Sequence, residues 1–430
     1  MSLFKGKMCQ HIPGFKELSE HETVIEIMDT PKVYIPLIVG PSTNVSVLVE
    51  TGAQVKVGTM VALCDERNYV PLFSSVSGTV VGIEKRMHSS LKQINHLVIE
   101  NDGLYQVDET LEGIDYKTAS NEELIDFMMK KGIVGLGGAG FPAYIKYKFA
   151  KDVQMLIINA VECEPFITAD YKSIFTNMKN LIDGVLAMKK MANAKEAVIA
   201  IKKSHPDLIT FVKGNVELIE GVNVVEVPDV YPMGWERVLV RQILKKEYDR
   251  LPGEVGAVVN NVETAIAFGE ALNSGLPIVN KTLTISGTAI AKPSNVTVPI
   301  GTPADYIVSK LGGYTEENVK IIAGGPMMGK TVVNDKFVVD RPTNAITILA
   351  NIPYDSVACL RCGKCSDHCP AGLQPVRIAQ AVKTKDKAAM QRLCAMDCIE
   401  CGLCTYICPS RLDVTENVRR AKRQLMMAKK

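Results

Sequence analysis

The chain has 430 residues, 47% of them hydrophobic and 22% charged, with a formal net charge of +2. That length supports several domains with substantial cores, and that charge balance offers no global attraction to nucleic acid or to an acidic membrane surface. Residues 1–15 carry lysines and His11 but no apolar stretch of signal-peptide length, and no apolar run elsewhere is long enough to span a bilayer. Any membrane role is therefore expected to come through partners.

Short strands are expected first, at Val33–Val39, Val45–Val49, Met60–Leu63, Gly78–Ile83 and His96–Ile99, parted by turns at Glu50-Thr-Gly52 and Ser77-Gly78. The phrase Val55-Lys-Val-Gly-Thr-Met-Val-Ala, followed by Ser74-Ser-Val-Ser-Gly-Thr-Val-Val-Gly, resembles a biotinyl/lipoyl-like sandwich. No lysine lies between Asp65 and Ser75, where a swinging cofactor would attach, so a structural domain is expected rather than a carrier. Helical spacing over Glu122–Lys131, Leu181–Ala192 and Glu236–Lys246 then alternates with strands at Met155–Ala160, Ala197–Lys202 and Asn223–Val227. Such alternation predicts an α/β layer on a mostly parallel sheet. Strands at Thr282–Ser286, Asn295–Val298 and Val319–Ala323, with a helix at Pro303–Leu311, predict a small α+β module. Beyond Asp355 a polar helix is expected at Thr384–Arg392 and a basic one at Leu412–Met427.

Within the α/β region, Gly135-Leu-Gly137-Gly138-Ala-Gly140-Phe-Pro142 contains a literal G-x-G-x-x-G. A dinucleotide fingerprint should follow a strand, whereas Glu122–Lys131 is helical and Gly132–Val134 too short, so an ordinary Rossmann reading is the poorer one. The glycines still remove side chains where backbone can approach a ligand, and Lys146, one helical turn further on, could neutralise phosphate. A tight loop without a ligand is the plainer alternative. Next comes Asn159-Ala-Val-Glu162-Cys-Glu164-Pro-Phe-Ile-Thr168-Ala-Asp170, directly after an apolar strand. The carboxyl end of a strand is where α/β sheets bind ligands, and acids there suit hydroxyls of a ribityl chain or ribose, or a flavin edge. A solvated acidic loop is the alternative.

The strongest pattern is Cys359-x2-Cys362-x2-Cys365-x3-Cys369-Pro370, repeated as Cys398-x2-Cys401-x2-Cys404-x3-Cys408-Pro409; together these hold eight of the twelve cysteines. Three thiolates so spaced can take three corners of a cubane cluster, and in bacterial-type two-cluster ferredoxins the fourth cysteine ligates the other cluster. Cys359, Cys362, Cys365 and Cys408 are thus assigned to one [4Fe–4S] cluster, and Cys398, Cys401, Cys404 and Cys369 to the other. Paired zinc sites or disulfides match this spacing poorly. Thiolate clusters need a reducing compartment, so a cytoplasmic setting is expected.

Taken together, the motifs resemble the RnfC family, which belongs to the Rnf complex, the membrane-bound ferredoxin:NAD oxidoreductase, and whose flavin core is shared with the NADH-binding subunit of respiratory complex I. The resemblance rests on the glycine loop with Lys146, on Asn159–Asp170, on Tyr231-Pro-Met-Gly234-Trp-Glu236, on Asn261-Val-Glu263-Thr264 and on the doubled cysteine run. It implies a biotinyl/lipoyl-like sandwich over 1–115, an α/β FMN/NADH-binding domain over 116–280, a soluble-ligand-binding β-grasp module over 281–345 and a two-cluster ferredoxin domain over 346–430. It further implies that Gly135, Gly137, Gly138, Gly140 and Lys146 hold phosphates, that Asn159, Glu162, Glu164 and Asp170 anchor flavin or nucleotide, and that Asn261 and Thr264 contact FMN. Hydride exchanged with NAD(H) at FMN would then pass as single electrons through two [4Fe–4S] clusters, with other Rnf-type subunits as partners at the inner face of the cell membrane.

Two departures stand out. Ala160-Val161 replaces the family's Gly-Ala, and Lys5-Gly-Lys-Met-Cys-Gln-His11-Ile-Pro13 replaces its opening Gly-Gly-x-His-Pro-Pro. The second leaves open an adaptor feeding a soluble reductase of the proline reductase or cobalamin-reducing type. Cys9, Cys64 and Cys163 read as small packing residues, and Cys394 as a thiol outside the ligand spacing. Arg419, Arg420, Lys422, Arg423, Lys429 and Lys430 read as a solvated face or a docking patch for an acidic partner, and Met426 and Met427 as helix packing.

Overall fold

A computed structural model describes residues 10–427; Cys9, Lys429 and Lys430 lie outside them. Strand β1 (Ile25–Glu26) leaves the first segment to join a sheet built from residues beyond 280. The sandwich follows, with β2 (Lys32–Pro36), β3 (Ser46–Val47), β4 (Gln54–Val55), β5 (Met60–Cys64), β6 (Val70–Phe73), β7 (Gly78–Met87) and β8 (Gln93–Asn101). They form a four-stranded sheet in the order β2-β8-β7-β4 and a three-stranded one in the order β3-β5-β6. Val33, Ile35, Val80, Leu97 and Ile99 point inward and are buried. The expected strand over Val33–Val39 stops at Pro36, beyond which Leu37 is still bonded to Asn95 but the ladder ends.

The central layer opens with helix α1 (Asn121–Lys130), started by a capping box: Ser120 Oγ accepts from the Glu123 amide at 3.2 Å while the Glu123 carboxylate accepts from the Ser120 amide at 2.7 Å. Leu124 and Met128, four apart, bury its inner face. The glycine loop connects α1 to α2 (Tyr144–Lys148) and so follows a helix, not a strand. Beyond it come β9 (Met155–Ala160), α3 (Ala169–Thr176), α4 (Met178–Met191), β10 (Glu196–Lys202), α5 (Pro206–Val216), β11 (Val222–Val227), α6 (Glu236–Leu244), β12 (Ala257–Asn261) and α7 (Val262–Ser274). The strands make an all-parallel sheet in the order β11-β10-β9-β12, with Ile158 opposite both Ile199 and Asn260. Helices cover both faces, which is why β9 and β10 are near-continuous apolar runs. All four carboxyl ends open on one edge. One apolar core runs without a break from the sandwich into this layer.

The third unit contains β13 (Asn280–Ser286), β14 (Ser294–Pro299), α8 (Ala304–Lys310), β15 (Val319–Ala323), β16 (Lys330–Val332) and β17 (Ala345–Ala350), giving a six-stranded mixed sheet in the order β1-β14-β13-β17-β15-β16. The cysteine-rich end holds short helices α9 (Lys364–Asp367), α10 (Pro375–Lys383), α11 (Lys387–Arg392), α12 (Leu403–Tyr406) and α13 (Val414–Met427) around Leu373, Ile378, Met390, Val418 and Leu425. Here the expected helix Thr384–Arg392 is corrected: Lys385 adopts a φ of 55°, which ends α10 and lets Asp386 cap α11 through the Ala389 amide. Met426 and Met427 do not pack as expected but are 48% and 71% exposed, lying on the outer face of α13. Among the described residues no helix is long and apolar enough to cross a membrane.

Candidate functional site

The glycine loop lies against the start of α7. The Gly135 amide donates to the Phe141 carbonyl at 2.8 Å and the Leu136 amide to Thr264 Oγ1 at 3.0 Å, which closes the loop on itself and pins it to the helix. A Cβ on Gly137 would come within 2.9 Å of the Asn261 side chain, so glycine is required there by contact. Gly137, Gly138 and Ala139 are exposed and nothing fills the space beside Gly138, while Gly140 takes a φ of 62° that favours glycine. Lys146, partly buried, donates its ammonium to the Val259 carbonyl at 2.5 Å, the one side-chain hydrogen bond it makes among the described residues. Burial holds its ammonium below the usual lysine range, with Glu236 the charge that opposes this.

Asn159 ends β9, donating to the Gly234 carbonyl at 2.7 Å and accepting from the Val161 amide at 3.1 Å, which ties the acidic loop to the Tyr231–Glu236 turn. Asn261 caps α7 by accepting from the Glu263 amide and donates to the Asp170 carboxylate at 2.7 Å. Asp170, Asn261, Thr264, Lys146, Asn159 and the glycines thus meet at the carboxyl ends of β9 and β12, as expected of a ligand crevice. Both glutamates accept hydrogen bonds from backbone amides. Glu162, at a φ of 40°, turns its carboxylate to the Asp170 and Tyr171 amides at 2.8 and 3.4 Å, capping α3. Glu164 reaches out of the layer to the Met327 and Met328 amides at 3.0 and 2.8 Å, so it ties the crevice to the loop after β15.

Burial raises the pKa of Glu162, Asp170 and Glu263, and lifts Glu164 to about 7. Glu263 pairs with buried Lys281 at 3.8 Å. An acid whose folded pKa lies above its unfolded value stabilises the fold below the unfolded pKa and loses that contribution as pH rises through the folded one. The stability of the ligand-free chain is therefore expected to fall between about pH 5 and pH 8, and Glu164→Gln to flatten the curve; an unchanged denaturation profile in the variant would contradict this assignment.

Sequence reasoning passed over Lys16, whose ammonium sits against the carbonyls of Glu162, Glu164 and Ile167, and over the Glu263–Lys281 pair. No local pattern marks Lys16, which lies 146 residues from its first partner. Glu263, by contrast, stood within a motif already singled out.

The cysteine runs adopt one conformation twice. Arg361 and Glu400, each between the first two cysteines, have φ near 55° and 58°, followed by Gly363 at 77° and Gly402 at 79°. This wraps the backbone so that the Arg361 amide points at Cys359 Sγ (3.4 Å) and the Glu400 amide at Cys398 Sγ (3.3 Å). Cys398, Cys401, Cys404 and Cys369 lie close enough for their thiols to feel one another's charge. At the other end, the Val357 amide donates to the Ser410 carbonyl at 3.2 Å and Ser410 Oγ to the Ala358 carbonyl at 3.1 Å, which ties the segment before Cys359 to the one after Cys408. Cys365 adjoins Cys369 and Cys404 as well. Cys394 is exposed and belongs to neither grouping, while Cys64 is buried as a packing residue.

The second run docks on the central layer. Tyr231 donates to the Cys401 carbonyl at 2.5 Å, Leu403 and Cys401 pack with Ile12 and Tyr231, and Gly402 leaves no room for a side chain against the Met327 carbonyl. Cys163 lies in the same contact, its thiol pushed up to about 11 by burial. Cys359 and Cys362 are exposed. The basic tail turns inward more than expected: Lys422 pairs with Glu400 at 2.6 Å and donates to the Cys398 carbonyl, and Arg419 pairs with Glu400 at 3.1 Å.

Comparison with known families agrees with this arrangement. Family models match residues 4–104 as an RnfC barrel sandwich hybrid domain, 128–269 as a Nuo51 FMN-binding domain, 282–331 as an SLBB domain and 351–409 as a 4Fe-4S dicluster domain. The RnfC-type component of the proton-translocating ferredoxin:NAD(+) oxidoreductase complex of Clostridium ljungdahlii is 37% identical over 82% of this chain and 79% of its own length. Its counterpart in the Na(+)-translocating ferredoxin:NAD(+) oxidoreductase complex of Acetobacterium woodii is 33% identical over 98% of this chain and 97% of its own. Among solved structures, the air-oxidized NAD+-reducing [NiFe]-hydrogenase shares the fold at a TM-score of 0.50 and 17% identity, over 75% of this chain and 69% of that one. An FMN-binding layer coupled to a two-cluster ferredoxin unit defines an iron–sulfur flavoprotein of electron transfer. The chain belongs to the RnfC family of the ion-translocating ferredoxin:NAD(+) oxidoreductase complexes.

Proposed function

We propose that this chain exchanges hydride with NAD(H) at FMN and passes single electrons through two [4Fe–4S] clusters to or from a ferredoxin-type partner, as a peripheral component on the cytoplasmic face of an Rnf-type membrane complex. The crevice fits FMN on its own chemistry. Lys146 offers an ammonium with a single carbonyl acceptor among the described residues, on the strand that leads to Asn261, and the exposed backbone of Gly137–Ala139 lies against Asn261; the two would together hold a phosphate. Gly135 and Gly140 shape that loop, Thr264 and Asn261 hold it to α7, and Asn159 and Asp170 line the way toward the Tyr231–Glu236 turn. Bound there, FMN supplies the conversion between hydride and single electrons that neither nicotinamide nor an iron–sulfur cluster performs alone.

The observation that carries the reading is the seating of the second cysteine run on this crevice, through Tyr231 and Cys401. It orders the route: crevice, then the cluster of Cys398, Cys401, Cys404 and Cys369, then the cluster of Cys359, Cys362, Cys365 and Cys408, which is the more exposed and faces the partner. The names of the relatives support the complex and the nicotinamide substrate. Anaerobically reconstituted protein is expected to carry flavin, and NADH to bleach its visible band and then the broad iron–sulfur absorbance. A preparation holding iron but no flavin would overturn the proposal.

A further inference from the structure

The acidic loop is an unusual piece of backbone. Between β9 and α3 it contains two non-glycine residues at positive φ, Glu162 at 40° and Phe166 at 67°, each of which costs free energy unless the surroundings hold it. Part of the hold is local, since Asn159 accepts from the Val161 amide and the Glu162 carboxylate from the Asp170 and Tyr171 amides. A second hold comes from residues 14–19, about 150 positions earlier. The Lys16 ammonium is buried against the carbonyls of Glu162 (2.9 Å), Glu164 (3.0 Å) and Ile167. Around it the Phe166 amide donates to the Gly14 carbonyl at 2.7 Å, Phe15 stacks on Phe166 with centroids 4.8 Å apart, and Ser19 bonds Thr168 at 2.7 Å. A lysine that gathers three carbonyls uses all of its donors; burial lowers its pKa, and the nearby carboxylates of Glu162 and Asp170 oppose that shift and favour its charged form.

We propose that Lys16 is the positioning residue of the flavin crevice: its ammonium, caged by the carbonyls of residues 162, 164 and 167, sets the acidic loop in its ligand-binding shape and supplies a buried positive charge to the site. The inference rests on the FMN reading for its second part and is independent of it for the first. Burying a lysine costs more than burying an apolar side chain, so packing alone does not account for a charge at this place. Three carbonyl oxygens converge on it because the strained turn of the loop aims them inward, and only a cation with three donors satisfies them together. The same segment continues to Ile12, which packs on Tyr231 and Cys401, and to Gln10, bonded to the Tyr231 backbone. One strap therefore sets the acidic loop and the docking turn of the near cluster.

Three chains decide it: wild type, Lys16→Met, and Phe15→Ala, the last removing a partly exposed ring while keeping the charge. Amide exchange is read across residues 162–168 in the flavin-free protein, and FMN affinity and flavin midpoint potential in the refilled one. Lys16→Met is expected to speed exchange in that segment and to weaken FMN by about tenfold or more, the scale of losing hydrogen bonds from a charged donor. It is also expected to lower the flavin potential, because losing a nearby positive charge disfavours the more negative reduced flavin; a tenfold preference is about 30 mV for two electrons. Phe15→Ala is expected to speed exchange and weaken FMN severalfold while leaving the potential in place, and both variants to keep the wild-type signals of their clusters. Wild-type exchange in Lys16→Met would overturn the positioning role, and an unmoved potential would overturn the electrostatic one. If Lys16→Met fails to fold, unchanged exchange and FMN affinity in Phe15→Ala would overturn the anchoring of the loop by this strap. A wild-type chain that binds no FMN would instead refute the functional reading and leave the exchange result standing.

Discussion

Cys369→Ser is expected to remove the cluster of the second cysteine run although it lies in the first. Cys369 shares its surroundings with Cys398, Cys401 and Cys404, as it also does with Cys365, while the Val357–Ser410 and Ser410–Ala358 hydrogen bonds tie the segment before Cys359 to the one after Cys408. Serine cannot replace a soft thiolate on iron, so each variant should retain about half the iron and sulfide of the wild type. The two losses are not equivalent in function. With the near cluster gone, NADH should still bleach the flavin, yet the remaining cluster should stay oxidised and transfer to an external acceptor should fail. In Cys408→Ser the near cluster should still be reduced by NADH and only the handover to the partner should be lost. Electron paramagnetic resonance of the two reduced variants distinguishes these outcomes, and loss of the first-run cluster from Cys369→Ser would refute the crossed assignment.

Lys146→Met should separate stability from cofactor binding. The ammonium has one carbonyl acceptor, and burial depresses its pKa below that of a lysine in the unfolded chain. The unfolded state thus holds the proton more tightly, so at neutral pH this lysine opposes folding, and the opposition fades as pH rises through the lowered value. Methionine removes that cost while filling the same space, so the flavin-free variant should melt at or above the wild-type temperature at pH 7, with the gap closing in alkaline buffer. FMN should bind on the order of ten- to a hundredfold more weakly, the scale of one charge-assisted contact to phosphate. Flavin fluorescence during titration of the apo-protein measures the second effect and thermal melts the first. Wild-type FMN affinity in Lys146→Met would move the phosphate away from the glycine loop.

Much of this protein could be read along the chain because its chemistry is written in short spacings. The doubled cysteine run, the glycine loop, the apolar strands Met155–Ala160 and Ala197–Lys202 and the Asn261–Thr264 motif are all local: each depends on residues within a turn or two of one another. The two central strands of the parallel sheet, β9 and β10, were legible as apolar runs because both faces are covered. The helix expected at Thr384–Arg392 was placed too early because nothing in its composition shows that Lys385 would adopt a left-handed conformation. Strand β12 and helix α7, although they carry Asn261 and Thr264, were missed as elements, even though α7 buries Val262, Ala265, Ile266, Phe268 and Leu272 at helical spacing.

What the sequence alone determined, then, is which cofactor chemistry the chain carries. Only the tertiary structure decided how those pieces face one another: that Glu162 caps a helix, that Glu164 leaves the crevice for the Met327–Met328 amides, that a lysine near the start holds the acidic loop, and that the second cysteine run, not the first, sits next to the crevice. The physical reason is common to all four. A buried amide, carbonyl or charge must be satisfied by whatever group the fold brings within hydrogen-bond reach, and that partner is set by packing between units far apart in the chain.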